Sequence, residues 1–459
     1  MTVRAIILAA GKGTRMKSDL AKVLHAVAGR SLLGWVLDAA EPLGLDRTVV
    51  VVGYQAEHVI ATLPESVRAA TQEEQLGTAH AAGIGLDALG DPDGTVLVLP
   101  GDMPLLSTDS LQGLLDHHAA SGAAATLLTA RMSDPTGYGR ILRDGENIVG
   151  IVEDGDAGST QLEIDEVNTS VYAFEAPLLE AALARVSSDN HQDEFYLTDV
   201  IEVLAAQGHP VLAVLVDEVE ATGVNSHAQL ARTGAVLRSR INQHWMEDGV
   251  WMLDPDQVYI DATALLEPGV RLYPGVHIEG DSAIGAGAEV GPSVHVRDST
   301  IGSGAHVRYA VITQAVVGAG AEVGPFARLR PGAELRGRSK VGTFVEVKNS
   351  TVGEGSKVPH LSYIGDATIG EATNIGAGTI TCNWDGFEKH PTTIGSRVFV
   401  GSDTMLVAPV ELGDDSVTAA GSVITDDVAP GALGVERSEQ KEIRGYAERR
   451  RRRAQEDQE

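Results

Sequence analysis

The sequence predicts an α/β chain of two parts, a largely parallel α/β sheet domain and, behind a long helix, a parallel β-helix. Three observations predict it: short apolar runs alternate with helical stretches in the first half, aliphatic residues recur every six positions in the second, and one amphipathic stripe separates the halves. The boundaries we expect are 1–227 for the first domain, 228–248 for the helix and 249–459 for the second domain.

The composition restricts what can fill the two cores. The chain has 459 residues, of which 52 are glycine, while 43% are hydrophobic and only 4% aromatic. Ordinary chains contain about 7% glycine, so the excess indicates many tight backbone corners. The cores must be built from Ala, Val, Leu and Ile. The net charge of −29 disfavours nonspecific nucleic-acid binding and anionic membrane surfaces, because both need a basic surface.

Cysteine and hydropathy patterns exclude further classes of protein. The single cysteine, Cys382, excludes an intrachain disulfide and a multi-cysteine metal site. No run of about 18 apolar residues is present, and no small-residue cleavage site follows the apolar N-terminal segment. We therefore expect a soluble, cytoplasmic protein without membrane insertion.

Five short runs rich in aliphatic residues are predicted as buried strands of the first domain. They are bounded by Gly, Pro or Asp and lie at 3–8, 48–52, 96–99, 123–128 and 211–216. Helical periodicity is found between them at 32–40, 107–120 and 178–185. Strands that alternate with helices favour a largely parallel sheet covered by helices.

The connecting helix is predicted from one stripe of apolar residues. Leu230, Leu237, Ile241 and Trp245 follow one another at spacings of 7, 4 and 4. Gly249 is typical of the residue that follows a helix C-terminus. We interpret this segment as the link between the two domains.

The second half is a repeat with a period of six residues. Six consecutive steps of six connect Ile260, Leu266, Leu272, Ile278, Ile284, Val290 and Val296, and the phase continues with occasional five-residue steps to Val423. This period fits neither a helix nor a hairpin. It fits a parallel β-helix in which each hexad makes one short side and one corner, so that about 18 residues close a triangular coil.

A glycine-rich segment follows the first predicted strand. It reads Leu8-Ala9-Ala10-Gly11-Lys12-Gly13-Thr14-Arg15-Met16, and Lys22 lies seven residues past Arg15. Glycines at such a turn let backbone N–H groups approach phosphate oxygens, and a following helix N-terminus adds a positive dipole. The segment is not a Walker loop, because no Gly-Lys-Ser/Thr closes it, and it lacks the third glycine of a dinucleotide fingerprint.

An aspartate follows the predicted strand 96–99, in the string Pro100-Gly101-Asp102. Open α/β sheets bind ligands at the carboxyl ends of their parallel strands, and a carboxylate is a preferred Mg²⁺ ligand. On these residues alone, a loop-capping role for Asp102 is an equal alternative.

Repeat arithmetic gathers five polar residues at one corner of the β-helix. Arg330 and Lys348 are 18 residues apart and each follows an inward aliphatic residue, so they stack in successive coils with no carboxylate between them. Such a pair is suited to a phosphate. Glu346, Tyr363 and His360 are predicted at the same corner, where the histidine could accept a proton from an attacking amine. The alternative for His360 is a solvated surface residue.

The first-half motifs resemble those of sugar-1-phosphate nucleotidyltransferases. The resemblance implies that Arg15 and Lys22 act in catalysis by neutralising phosphates while a sugar phosphate attacks the α-phosphorus of a nucleotide and pyrophosphate leaves. It also implies that Asp102 and Asn225 hold Mg²⁺, and that an amide of Gln72 reads uracil. The nucleotide and sugar contacts it implies are Leu8, Ala9, Ala10, Gly11, Lys22, Gln72, Gly77, Thr78, Gly101, Gly139, Glu153, Asn168 and Asn225.

The second half resembles the left-handed β-helix of hexapeptide-repeat acyltransferases, and the handedness is implied by that resemblance alone, since connection rules favour a right-handed crossover. Two strings, 360–366 and 374–383, are similar to those of bacterial bifunctional N-acetylglucosamine-1-phosphate uridylyltransferase/glucosamine-1-phosphate N-acetyltransferase enzymes. This second resemblance covers essentially the whole chain.

The second resemblance implies His360 as the general base of acetyl transfer. The amino-sugar-phosphate contacts it implies are Arg330, Lys348, Tyr363 and Asn374, and the acetyl-CoA contacts are Ala377, Asn383, Trp384, Ser402, Ala420 and Arg437. It implies a homotrimer with acetyl-transfer sites between subunits. The expected function is acetylation of glucosamine-1-phosphate, followed by Mg²⁺-dependent transfer of UMP from UTP to give UDP-N-acetylglucosamine for cell-wall peptidoglycan.

Two alternatives stay open at this point. One is a monofunctional nucleotidyltransferase whose β-helix binds a regulatory ligand or builds an oligomer. The other is a non-enzymatic regulatory subunit, against which the retention of Arg15, Lys22, Asp102 and Asn225 argues.

Three features fall outside the repeats or the family pattern. Residues 381–393 interrupt the hexads and are expected to project as a loop, in which Cys382 has no adjacent base and is not expected to carry an acyl group. Pro100 and Trp384 stand where the resembled family has tyrosine. The basic run 449–453 is expected to be a solvated helix end.

Overall fold

The structure is a computed structural model that describes residues 2–90 and 93–457. It contains two compact units, Met1–Ile241 and Asn242–Glu459. Five residues of the expected domain ranges, Met1, Asp91, Pro92, Gln458 and Glu459, lie outside the described residues. The division between the units falls inside helix α7 (His227–Glu247), where the sequence predicts the connecting helix.

A nine-stranded sheet forms the centre of the first unit. Along the chain its strands and those of a small hairpin are β1 (Val3–Ala9), β2 (Ala26–Val27), β3 (Arg30–Ser31), β4 (Arg47–Val52), β5 (Val67–Thr71), β6 (Thr95–Pro100), β7 (Ala125–Arg131), β8 (Arg140–Asp144), β9 (Asn147–Val152), β10 (Glu166–Glu175) and β11 (Val211–Val216). The order is β11-β7-β10-β6-β1-β4-β5, with β8 and β9 beside β10 and with β2 and β3 paired separately. All five predicted strands are confirmed to within three residues.

The first sheet is parallel except around β10. This strand is antiparallel to both β6 and β7, and the β8–β9 hairpin is antiparallel as well. The prediction of a largely parallel sheet is therefore confirmed, with an antiparallel insertion that the alternation of strands and helices does not reveal.

Helices cover both faces of the first sheet. They are α1 (Leu32–Ala40), α2 (Ala56–Ile60), α3 (Thr78–Leu89), α4 (Thr108–Ser121), α5 (Ala176–Leu183) and α6 (Asp199–Ala206), with short 3₁₀ turns at Thr14–Met16, Lys22–Leu24 and Glu41–Leu43. Leu86 of α3 and Ile201 of α6 bury one face, whereas Val36 of α1 and Leu114 of α4 bury the other. Burying both faces explains why the strands read as continuous aliphatic runs.

The second unit is a parallel β-helix with three faces of short strands, preceded on its second face by a 3₁₀ turn at Pro255–Gln257. The first face comprises Trp251–Met252, Arg271–Leu272, Glu289–Val290, His306–Val307, Glu322–Val323, Lys340–Thr343, Lys357–His360, Asn374–Ile375, Phe399–Val400, Val417–Thr418 and Leu433–Gly434. The second comprises Val258–Ile260, Val276–Glu279, Val294–Arg297, Ala310–Thr313, Ala327–Leu329, Glu346–Lys348, Tyr363–Gly365, Ile380–Cys382, Met405–Val407 and Val423–Ile424. The third comprises Leu265–Leu266, Ala283–Ile284, Thr300–Ile301, Val316–Val317, Ala333–Leu335, Ser350–Val352, Ala367–Ile369, Thr392–Ile394 and Val410–Leu412.

The hexad phase is confirmed by the register of these strands. Leu329 pairs with Val347, and Val347 with Ile364, and all three side chains are fully buried. The inward aliphatic residue of each hexad therefore stacks on its equivalent in the next coil. The interruption of the repeats is confirmed too, since residues 383–391 lie between strands of the second and third faces.

The chain ends in the exposed helix α8 (Tyr446–Glu456), which contains Arg449–Arg453. This agrees with the expected solvated helix end. Within residues 2–90 and 93–457, no helix combines the length and the apolar character that crossing a membrane would require.

A close approach between coils yields a stability prediction. A Cβ on Gly318 would lie 2.7 Å from the carbonyl oxygen of Leu335 in the next coil, whereas one on Gly337 would meet nothing nearer than 3.5 Å. We expect Gly318→Ala to lower the free energy of unfolding of the β-helix by about 2 kcal/mol. Urea denaturation monitored by circular dichroism measures this, with Gly337→Ala as the matched control. Equal stability of the two variants would contradict the close-approach argument.

Candidate functional sites

A cavity of about 610 Å³ opens at the carboxyl edge of the sheet in the first unit. The edge is level because Leu8 of β1 pairs with Pro100 of β6, and Ala9 with Val52 of β4, so the loops after these strands start side by side. Residues expected from the sequence that line the cavity are Leu8, Ala9, Ala10, Gly11, Arg15, Lys22, Gln72, Gly77, Thr78, Asp102, Glu153 and Asn225.

Three polar side chains converge at one wall of this cavity. The ammonium Nζ of Lys22 lies 2.5 Å from Oδ2 of Asp102 and donates to Oδ1 of Asn225 at 3.1 Å. A carboxylate oxygen and an amide oxygen thus already meet around one positive charge. Hard oxygen donors of this kind are those Mg²⁺ accepts, together with water and substrate phosphates. The described residues contain no group of three or more His, Cys, Asp or Glu that could hold a metal by themselves.

Glycines shape the loop that carries Lys22. A Cβ on Gly13, whose φ is +67°, would lie 2.5 Å from Cβ of Lys22, so the loop can fold back on Lys22 only with glycine there. On the opposite side of the loop, Nε2 of Gln75 donates to the carbonyl of Ala10 at 3.0 Å. The loop is therefore held at both ends.

The segment expected to recognise the base is fixed by internal hydrogen bonds. Gln72 is 4% exposed, and its Nε2 donates to the carbonyl of Gly77 at 3.1 Å. Gly77 has φ of +116°, and a Cβ there would lie 2.5 Å from the carbonyl oxygen of Phe195. Thr78 accepts from the backbone N–H of Leu197 at 2.9 Å. This part of the cavity wall is consequently rigid.

The expected sugar contacts lie partly behind the cavity wall. Among the lining residues Glu153 is present, but Gly101, Gly139 and Asn168 are not. Asn168 is buried and donates to Oη of Tyr172 at 2.7 Å, and Tyr172 lines the cavity. Gly139 packs against Glu153, since a Cβ there would lie 3.6 Å from its carboxylate. Gly139 and Asn168 therefore pack behind Glu153 and Tyr172, the residues that line the cavity.

Carboxylates crowd the same wall. Burial raises the pKa of Glu153, and the nearby Asp199 and Asp156 raise it further, although Thr198 donates to it at 3.1 Å. Burial also raises the pKa of Asp199 to about 6, with added repulsion from Glu202 and Asp156. Glu153 and Asp199 therefore take up a proton at a higher pH than exposed carboxylates do.

Sequence reasoning missed several residues of this cavity. They are Ser170, Tyr172, Gln192, Glu194, Tyr196, Leu197 and Thr198 among others. The stretch 190–198 has neither helical nor strand periodicity, and it reaches the cavity through backbone bonds to Leu76 and Ala79. The sequence of this stretch therefore contains no periodic pattern from which its place at the cavity could be predicted.

In the second unit, Arg330 and Lys348 stack in successive coils as predicted, but each of them has a carboxylate partner. Arg330 pairs with Glu346 at 2.7 Å and Lys348 with Asp366 at 3.3 Å. The expectation of no carboxylate between the cations is therefore wrong, because Glu346, which lies in the coil of Lys348, reaches diagonally to Arg330 in the preceding coil. The hydrogen bond that Arg330 donates to Glu346 raises the pKa of the Arg330 guanidinium.

Asp366 and Tyr363 organise the same corner. Asp366 accepts from Asn349 at 2.6 Å and from Asn383 at 2.5 Å as well as from Lys348. Glu346 and Tyr363 are register partners, as the repeat arithmetic predicts. The Tyr363 ring folds over Gly365, where a Cβ would collide with its hydroxyl group.

His360 is exposed, and small residues occupy the equivalent position in the coils that follow it. Equivalent backbone bonds connect successive coils: Gly378 N to His360 O at 3.4 Å, Asp403 N to Ala377 O at 2.6 Å and Gly421 N to Ser402 O at 2.8 Å. A column thus runs through His360, Ala377, Ser402 and Ala420, and Nη1 of Arg437 donates to the carbonyl of Ala420 at 3.0 Å. Asn374 lies in the same strand as Ile375, paired with Lys357.

The loop 383–391 lies beside the cation pair. Asn383 bonds to Asp366, and Trp384 is 57% exposed. Lys389, which sequence reasoning missed, contacts Lys348, and this contact lowers the pKa of Lys389 because two adjacent ammonium groups repel. Burial raises the pKa of Cys382, so its thiol stays protonated and is a poor nucleophile.

Comparisons with known proteins agree with both halves of this description. Residues 5–214 match the family model of the MobA-like NTP transferase domain, and residues 391–426 match that of the hexapeptide repeat of succinyl-transferase. The fold and the two sites define a nucleotidyltransferase joined to a left-handed β-helix acyltransferase.

Relatives along the whole chain identify the family. The chain is 50% identical to the bifunctional protein GlmU of Streptomyces avermitilis over 97% of this chain and 94% of that protein. It is 45% identical to the bifunctional protein GlmU of Desulfitobacterium hafniense over 96% and 98%, respectively. The chain belongs to the GlmU family of bifunctional proteins. It is therefore a bifunctional uridylyltransferase and N-acetyltransferase of UDP-N-acetylglucosamine synthesis for the cell wall. This finding excludes the two alternatives, a monofunctional nucleotidyltransferase and a non-enzymatic regulatory subunit.

The raised pKa of Asp199 yields a pH prediction. The fold favours the protonated carboxyl, so between about pH 4, the ordinary aspartate pKa, and pH 6 the folded chain holds a proton that the unfolded chain has released. Stability contributed by this group therefore falls as pH rises through that window. We expect Asp199→Asn to stabilise the first unit by about 1 kcal/mol at pH 7.5 and to have little effect near pH 4.

Urea denaturation of the two proteins across this pH range measures the difference. Asp144→Asn, at an exposed end of β8, is the control and should shift stability equally at both limits. A stability gain for Asp199→Asn that did not change with pH would contradict the linkage.

Proposed function

We propose that the cavity of the first unit is the uridylyltransferase site, with the roles that the sequence resemblance implies. The observation that carries this proposal is the meeting of Lys22, Asp102 and Asn225 at a cavity lined by the glycine-rich loop. Arg15 and Lys22 neutralise phosphate charge while the phosphate oxygen of N-acetylglucosamine-1-phosphate displaces pyrophosphate from the α-phosphorus of UTP.

Asp102 and Asn225 are the residues that would hold Mg²⁺. When bound, the ion neutralises charge on the phosphates and helps to align them. The chain's own residues do the rest: the loop Leu8–Gly11 orients the nucleotide, and Gln72 commits its Nε2 to Gly77, which leaves its carbonyl oxygen to accept the uracil ring N–H.

The sugar would lie against the wall formed by Glu153 and the residues behind it. Gly139 keeps this wall close because a side chain there would press on Ile151 and Glu153. Asn168 positions Tyr172 from behind. Gly101, which we also expected to contact the ligand, approaches the carbonyl oxygen of Leu8 and would act by keeping β1 and β6 close.

We propose acetyl transfer at the corner of the β-helix headed by His360. Its imidazole takes the proton from the glucosamine amine as the amine nitrogen attacks the thioester carbonyl. The carbon–sulfur bond then breaks, and coenzyme A leaves as a thiol because its sulfur takes up the proton that the His360 imidazole accepted. Arg330, Lys348, Tyr363 and Asn374 would bind the amino sugar phosphate, for which two stacked cations supply the charge.

The column below His360 is proposed as the acetyl-CoA track. Its side chains are short, so an extended thiol arm can lie along the backbone, and Arg437 supplies a cation at its far end. Asn383 and Trp384 would border it from the loop. The full set of proposed contacts is Ala377, Asn383, Trp384, Ser402, Ala420 and Arg437.

Four further points belong to the proposal. The assembly is a homotrimer, the cation is Mg²⁺, and the location is the cytoplasm, where UTP and acetyl-CoA are found. The division into 1–227, 228–248 and 249–459 assigns one reaction to each domain.

Two substitutions test the assignment of one reaction to each site. We expect His360→Ala to lower kcat of acetyl transfer by about 100-fold or more while uridylyl transfer is unchanged. We expect Asp102→Asn to lower uridylyl transfer by on the order of 100-fold and to raise the Mg²⁺ concentration it requires, while acetyl transfer is unchanged. Release of free coenzyme A and of pyrophosphate measures the two reactions.

His306→Ala is the matched control for His360, since it removes an exposed histidine from another coil of the first face. It should leave both activities intact. If His360→Ala or Asp102→Asn abolished both reactions, the two-site proposal would fail.

The cation pair yields a binding prediction. Arg330→Ala removes a guanidinium held toward the corner by Glu346, so we expect KM for glucosamine-1-phosphate to rise about tenfold or more. KM for acetyl-CoA should hardly change. Arg336→Ala, which removes an exposed arginine paired with Glu334, is the control. An unchanged KM in Arg330→Ala would contradict the phosphate role.

A further inference from the structure

The turn at 53–55, directly after β4, bonds from outside the cavity to the loop that connects the glycine-rich segment with Lys22. Oε1 of Gln55 accepts from the backbone N–H of Ala21 at 2.9 Å, and its Nε2 donates to the carbonyl of Asp19 at 2.7 Å. Neither Tyr54 nor Gln55 lines the cavity. One side chain thus closes two bonds on the segment directly before Lys22.

The backbone at Gln55 is held in an unfavourable conformation. Its φ is +53° and ψ +40°, the left-handed region that costs a residue with a Cβ and that glycine adopts readily. Strain of this kind persists where surrounding contacts impose it and often marks functional sites. The two side-chain bonds to the loop are the contacts that a glycine at this position could not make.

The neighbouring Tyr54 holds the same loop at a second point. Its backbone N–H donates to the carbonyl of Ala10 at 3.1 Å, and its Oη donates to the carbonyl of Asp19 at 3.3 Å. The ammonium of Lys12 lies 5.3 Å from the ring centroid, within cation–π range. The turn therefore touches the loop near its beginning and near its end.

The segment before Ala21 lies at the surface, with a hydrogen bond between the backbone of Leu20 and the side chain of His25 as a further contact. Residues Lys17, Asp19 and Leu20 are exposed, and Leu20 N–H bonds only locally, to Ser18. Ala21 by contrast is 1% exposed, and its N–H is satisfied by Gln55. The Gln55 contact thus fixes the residue directly before Lys22, whose ammonium group bonds to Asp102 and Asn225.

We propose that Gln55 is a positioning residue for uridylyl transfer, which orders the segment Asp19–Ala21 so that Lys22 is held toward the phosphate site. The inference rests on the proposed role of Lys22. Without this contact, part of the energy of UTP binding would be spent on ordering the loop.

Gln55→Gly is the discriminating substitution, because it keeps the left-handed backbone without strain and removes only the side-chain bonds. Two lost bonds of ordinary strength correspond to about a tenfold loss of affinity. We expect KM for UTP to rise about tenfold with a smaller change in kcat, while acetyl transfer stays at its original rate. Gln55→Glu keeps the acceptor for Ala21 but loses the donor to Asp19, so we expect an intermediate KM.

Ala28→Gly is the matched control, because Ala28 also has a positive φ, of +49°, in the first unit. It should leave KM unchanged. A merely structural role for Gln55 would lower the midpoint of thermal unfolding without changing KM for UTP, and that result would overturn the proposal.

A double-mutant cycle separates this inference from the proposed function. UTP binding with Mg²⁺ is measured by calorimetry for Lys22→Ala, Gln55→Gly and the double variant. If Gln55 acts through Lys22, Gln55→Gly should weaken binding about tenfold in the original chain and hardly at all in the Lys22→Ala background. Unchanged binding in Lys22→Ala would overturn the role of Lys22 itself, whereas additive losses would overturn only the role of Gln55.

Discussion

In-register parallel pairing of strands positions both sites of this chain. In the first unit, the pairing of Leu8 with Pro100 ends β1 and β6 at one level, so the glycine-rich loop and Asp102 start side by side. In the second unit, the pairing of Leu329 with Val347 carries Arg330 and Lys348 into one column. Each shift of one residue would turn the inward aliphatic side chains outward, so the buried pattern fixes the register and the register fixes the sites.

A chain with a net charge of −29 must bind phosphates through local contacts. Surface charges more than about 8 Å apart are largely screened at physiological ionic strength, so a few near cations decide the interaction. Three of the proposed phosphate-binding cations have a carboxylate partner: Lys22 with Asp102, Arg330 with Glu346, and Lys348 with Asp366. The carboxylate partner holds the long side chain of the cation in one orientation, which lowers the conformational entropy lost when a phosphate binds. The phosphate must then share the positive charge with that carboxylate.

Repetition explains which parts of the fold the sequence could predict. A period of six converts distance along the chain into distance in space, so the stacking of Arg330 on Lys348 and of Glu346 on Tyr363 follows from arithmetic. Buried strands such as β1 and β6 are likewise predicted by composition, because both faces are covered. The antiparallel direction of β10 could not be predicted, since a strand buried on both faces reads the same whichever way it runs.

What escaped prediction depends on side-chain reach and on irregular backbone. The pair of Arg330 and Glu346 requires two rotamers to meet diagonally between successive coils, and hexad counting sets only which coil each residue occupies. Gln55 and Ala21 are 34 positions apart, and their bond joins two loops without periodicity. The left-handed backbone of Gln55 is hidden as well, because glutamine gives no signal for positive φ as glycine does. The position of a residue in the stacked coils can therefore be read from the sequence pattern. The contacts that orient the charged side chains arise only in the folded chain.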